Sequence, residues 1–105
     1  MLTLAKISET NSTITIGWSP PAGVGGYVFY ANGQVASVAS RNNKDGSPRN
    51  SVKFSKTNPG PPFQVAAICR SAVGGFTSEV GTYPSASSLV VYPATSLYPS
   101  EVSPV

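Results

Sequence analysis

The chain has no histidine, one cysteine (Cys69) and four acidic residues, Glu9, Asp45, Glu79 and Glu101. Each shortage removes a class of chemistry. A catalytic thiol needs an activating base, and no imidazole is present to serve as one. The usual zinc ligand sets draw on several Cys and His side chains and cannot be assembled. Paired-carboxylate hydrolysis needs two acids converging at a set distance, which four scattered acids do not suggest. A lone Cys forms no intrachain disulfide, and Cys69 reads as a small core hydrophobe. The expectation is a non-enzyme, with no catalytic residue, no metal ligand and no cofactor.

Charge is scarce too. Charged residues make up 10% of 105, with a balance of +3. Nucleic-acid binding is not expected, because it calls for a denser basic patch. Two explanations of the low charge stay open: a Ser/Thr/Asn-rich surface, or a surface that lies largely against a partner. No run approaches the ~18–20 apolar residues of a membrane span, and no membrane partner is expected. Residues 1–7 lack the apolar stretch of a secretion signal. If Met1 is the natural start, this reads as a small protein made in a cytoplasm. If it was added in cloning, the chain is an excised module. Helical periodicity is missing, since no window repeats apolar residues at i, i+3, i+4 and i+7.

What is present points to strands. Ten Gly and ten Pro favour many short strands and turns. At this length the chain holds one core. Residues 63–69 form the longest run suited to a buried strand, and Phe63, Val65, Ala67 and Cys69 share one face of it by period-two alternation. Residues 13–18 offer a matching face in Ile14, Ile16 and Trp18. Residues 27–31 make a third strand, with Tyr27 and Phe29 on the core face and Val28 and Tyr30 on the other. Aromatics on both faces suggest a central strand or a covered outer face.

Leu2, Leu4 and Ile7 mark a first strand that ends in a turn near residues 9–12. Ser19-Pro20-Pro21 stops the second strand. Residues 22–26 read as a flexible loop. They lack the Lys-Ser/Thr ending of a phosphate loop. Asn32-Gly33 supplies a type I′ hairpin turn, after which residues 34–39 return antiparallel. Residues 40–50 read as a long exposed loop or a frayed edge. Residues 51–54 form a short strand and 76–82 the last one.

Seven short strands with regular turn signals indicate an all-β, seven-stranded antiparallel β-sandwich. Over residues 2–84 the chain resembles the fibronectin type III family, an immunoglobulin-like sandwich. The residues that carry the resemblance are Trp18-Ser19-Pro20-Pro21, Tyr27-Val28-Phe29-Tyr30, the Pro59-Gly60 turn, and Phe63-x-Val65-x-Ala67-x-Cys69-x-Ser71-x-x-Gly74. Phe63 stands where the family has Tyr, so the hydroxyl of a tyrosine corner is missing. Thr57 stands where the family usually has Leu. The resemblance implies a spacer, adhesive or docking module without catalysis.

Two stretches remain as candidate docking surfaces. Arg41, Lys44, Arg49, Lys53 and Lys56 crowd one region opposed only by Asp45, and would suit an acidic surface. Residues 85–105 form an extended C-terminal arm beyond the 1–84 sandwich. Tyr83-Pro84, Tyr92-Pro93 and Tyr98-Pro99 bias it toward extended backbone. Leu89, Val91, Tyr92, Leu97 and Tyr98 make it more apolar than a free linker, and suited to lie along a surface or add to a sheet edge. Tyr30 and Tyr83 are candidates either to stack on a carbohydrate or only to pack.

A small charge-poor sandwich with an apolar arm fits a capsid decoration protein on a bacteriophage virion surface. Its partners would be a protein shell or neighbouring copies in a homo-oligomeric array. The alternative is an extracellular fibronectin type III spacer, or carbohydrate-proximal module, cut from a secreted bacterial enzyme or adhesin.

Overall fold

The computed structural model describes residues 2–70 and 76–84. It has seven strands and no helix among them: β1 (Ala5–Glu9), β2 (Thr13–Gly17), β3 (Val24–Ala31), β4 (Gln34–Ser40), β5 (Ser51–Ser55), β6 (Phe63–Arg70) and β7 (Phe76–Tyr83). They form two antiparallel sheets, ordered β1-β2-β5 and β4-β3-β6-β7. The chain is an all-β sandwich.

The core lies between the sheets. Ile14, Ile16 and Trp18 come from one side, and Tyr27, Phe29, Ala31, Phe63, Val65 and Ala67 from the other, joined by Leu2 and Phe54. Alternation along each strand sends these residues inward. Rings run continuously through the core. Trp18 meets Tyr27 at a centroid distance of 5.0 Å, Phe29 meets Phe54 edge-on at 6.2 Å, and Phe54 stacks on Phe63 at 4.6 Å. Phe63 thus contributes ring area to the core. Cys69 is buried on the same strand, and burial pushes its thiol pKa up.

Local chemistry sets the turns. Asn32 and Gly33 both take positive φ, 52° and 81°, as a two-residue hairpin between β3 and β4 demands. At the β1–β2 turn, Thr10 Oγ1 accepts from the Thr13 amide at 3.0 Å.

Two expectations need correction, for residues 24–26 and for the start of the first strand. Residues 24–26 are strand and not loop, because β3 extends back past a bulge at Gly25 to pair with β6. The 41–50 stretch is a long, mostly exposed loop, as expected, and it is internally bonded. Asn42 bridges to Pro48, and Asp45 Oδ1 accepts from the Ser47 amide at 2.9 Å and its hydroxyl at 2.6 Å. The first strand starts at Ala5, not Leu2. Leu2 and Leu4 form a strap on the other sheet, where the Leu2 amide donates to Val80 O at 3.1 Å. Ile7 is the extra residue of a bulge in β1 and is 61% exposed. The Gly74-Gly75 turn and the arm of residues 85–105 lie outside the described residues.

Candidate interaction surfaces

The cross-strand register defines the outer face of the four-stranded sheet. Val38 pairs with Val28, Val28 with Ala66, and Ala66 with Val80. In the next row Val35 pairs with Tyr30, Tyr30 with Gln64, and Gln64 with Thr82. Directly paired residues share a face, so these two rows form one surface, opposite the main core. Val28, Tyr30, Ala66 and Ile68 form a second buried cluster on it, with Val80 packed against them. Gln64 Nε2 donates to Thr82 Oγ1 at 2.9 Å, which pairs the amide nitrogen in an otherwise apolar patch. Burial raises the Tyr30 phenol pKa.

The same face changes character toward β4. Val35 is 45% exposed and Val38 43%. β4 is also an outer strand of its sheet, and it contrasts with the other three edges. β1 carries Lys6, Glu9 and a bulge. β5 is short and carries Lys53. Along β7, the Leu2 strap bonds to the outer side of the strand. β4 reads Gln34-Val35-Ala36-Ser37-Val38-Ala39-Ser40, with no charge and no proline. Edges of that kind are open to pairing and apolar contact. Composition alone did not single out β4. The signal available in the sequence was an uncharged run directly after an Asn-Gly turn.

The expected basic cluster is dispersed. Arg49 folds onto its own loop, donating from Nε to Ser40 O at 2.9 Å and from Nη2 to Asn42 O at 3.2 Å. The Arg49 amide donates to Arg41 O at 2.8 Å. Lys56 lies beyond the far end of β5, about 23 Å from Arg49 at strand rise. It pairs with Glu9 and donates to Thr10 O at 2.9 Å. Lys6 also reaches Glu9, at 3.1 Å. Hydrogen bonds from Lys56 and then Lys6 hold the Glu9 carboxyl below its usual range. Asp45 is therefore not the only acid opposing these cations. Lys44 is exposed near the loop tip and Lys53 on the face of β5.

Of the other candidate residues, Leu89, Val91, Tyr92, Leu97 and Tyr98 lie outside the described residues. Tyr30 is 2% exposed, so it presents no stacking face to a carbohydrate. Tyr83 is half-buried. It lines a small apolar cleft at one end of the sandwich with Ile14, Pro61, Phe63 and Pro84, rimmed by Glu9 and Lys56. Among the described residues no three His, Cys, Asp or Glu side chains gather to hold a metal ion.

No protein-family model and no curated protein matches the chain. A solved structure to which it is similar is the spore cortex lytic enzyme SleM of Clostridium perfringens, at 19% identity and a TM-score of 0.49. The match covers 78% of this chain and 26% of that one. The chain thus spans about a quarter of that enzyme's length, and the likeness carries no inference about activity.

Proposed function

We propose that this is a non-catalytic interaction module of the fibronectin type III kind, acting as a virion-surface protein that docks on a protein shell or on neighbouring copies. The observation that carries the reading is the β4 margin. Among the described residues it is an outer, uncharged strand bearing two half-exposed valines on an apolar face. An edge without charge or proline suits a partner surface that is itself uncharged and extended. The 41–49 loop adds Lys44 as an exposed cation near its tip. The C-terminal segment supplies the remaining contacts. Division of the strands into three and four, with the Trp18 and Phe63 faces packed together, supports the family reading.

Gene context is the first test. A reading frame lying beside capsid genes is the expected result. A frame that continues past Val105 into a catalytic domain would overturn the virion reading in favour of a spacer from a secreted enzyme. Purified shells then test the docking surface. Reversing Arg41 and Lys44 to Glu is expected to weaken co-sedimentation in a salt-dependent way, and unchanged binding would remove the loop from the interface.

A further inference from the structure

β4 pairs with β3 in a register that slips by one residue. Tyr30 pairs with Val35 and Phe29 with Ser37, so Ala36 is the extra residue of a bulge. In a regular strand, residues three apart face opposite sides. The bulge puts Val35 and Val38 on one face, that of their partners Tyr30 and Val28. Residues 34–38 are all exposed, and the strand is the outer one of its sheet.

The slip selects the kind of strand that can be added. A bulge deters a regular strand. Such a strand, matched to β4 on one side of Ala36, would present the wrong face on the other. A strand with the same extra residue stays in step. In β4 of a second copy, run antiparallel, three steps from Val38 to Val35 oppose three steps from Val35 to Val38. We infer that β4 pairs antiparallel with β4 of a second copy, about a two-fold axis at Ala36 and Ser37. Val35 of each copy lies opposite Val38 of the other. Of the antiparallel registers, this one alone sets both valines of each copy against valines. It also sets Gln34 against Ala39, which share the core-side face through their partners Ala31 and Tyr27.

Residues 34–40 carry no charge, so no like charges oppose each other across the ladder. The other outer strands match β4 less well. β1 presents Lys6 and Glu9, β5 presents Lys53, and the Leu2 strap bonds along β7. Two-fold pairing also sends the two 41–49 loops to opposite ends of the ladder. Each lies beside the uncharged Asn32–Gly33 turn of the other copy, so Arg41 and Lys44 do not meet their own counterparts. Arg49 Nε already donates to the Ser40 carbonyl, and the ladder runs from Gln34 to Ala39. About 20 Å of strand makes an interface below the usual size, and its affinity is correspondingly low. The inference rests on the reading of β4 as the docking margin and narrows its partner to a second copy.

The test uses the full chain without shells. Sedimentation equilibrium from about 10 μM to about 1 mM is expected to show monomer and dimer exchanging. Val35→Lys with Val38→Lys should weaken the dimer at least tenfold while Tm is kept. A chain that stays monomeric, or a dimer that the lysines leave intact, would overturn the pairing. Cross-linking reads the register. Directly paired residues have Cα atoms about 4.5–5.5 Å apart, within disulfide range. Under oxidation, a mixture of Val35→Cys and Val38→Cys chains should give mostly the mixed dimer, since Val35 of the two copies stand about 10 Å apart along the strands. A dominant homodimer of the Val35→Cys chain would overturn the register. Shells separate the two readings. A monomer that binds shells through Val35 and Val38 would remove the second copy and keep the docking margin. A dimer that ignores shells would keep the pairing and remove the shell.

Discussion

Gly81 is the residue whose replacement tests the N-terminal strap. It pairs with Val65, a core residue, so a side chain at position 81 would point between the sheets. A Cβ there would collide with the Leu2 carbonyl oxygen and stand 2.7 Å from Leu4 Cγ. Gly81→Ala leaves the molecule two responses. If the strap stays, overpacking costs about 1–3 kcal/mol. If it lets go, the burial of Leu2 is lost, about 1.5–3 kcal/mol. The bond from its amide to Val80 O goes too, about 1 kcal/mol. The cheaper response sets the cost, so the expected loss is about 2 kcal/mol. For a domain of this size that is about 8–16 °C in Tm. Urea denaturation gives the magnitude, and amide exchange at Leu2 tells which response occurred. Combining the change with Leu2→Ala closes a cycle. Where the strap has already detached, Leu2→Ala adds almost nothing. A loss below about 0.5 kcal/mol with the Leu2 amide still protected would refute the placement of the strap on β7.

Arg49→Ala removes two donors to the Ser40 and Asn42 carbonyls and should cost about 1–2 kcal/mol in urea denaturation. Arg49→Lys should recover little of it, because one ammonium does not reproduce the planar fork; full recovery would count against the reading. At alkaline pH the sign follows from burial, which raises the pKa of Tyr27, Tyr30 and Cys69. Groups whose folded pKa is raised stabilise the fold fully below their unfolded values and lose that contribution as pH rises through the folded ones. Stability should therefore be level across neutral pH and fall above about pH 8.5–10. Removing the thiol with Cys69→Ala should move the onset toward the tyrosine end of that range, and an unmoved onset would assign the loss to the phenols alone.

The inward faces were legible because alternation is a strong local signal. Ile14, Ile16, Phe63 and Val65 sit on runs where period two leaves one choice of face. Asn32-Gly33 was legible because few dipeptides suit two positive φ angles. The strap was not. Leu2 and Leu4 look like the start of the strand that continues through Ile7, and nothing local reveals that the chain changes sheets at Thr3 to Ala5. Val24 to Gly26 read as loop because glycine is rare in strands, yet a bulge and pairing to β6 absorb it. The basic residues were close in sequence, but β5 separates Arg49 from Lys56 and draws Lys56 to Glu9, a partner on another strand. Aromatics on both faces of residues 27–31 suggest a central strand or a covered outer face, and β3 is an inner strand of its sheet; the β4 margin emerged only from the register that sets Val35 and Val38 beside the buried cluster.

The central proposal is that this chain docks on its partner through the β4 margin. Val35→Lys with Val38→Lys tests it most directly. Both positions are half-exposed, so the fold should keep its stability to within about 0.5 kcal/mol per site. Co-sedimentation with purified shells should fall at least tenfold, about 1.4 kcal/mol. A stably folded variant that binds as tightly as the parent chain would contradict the account.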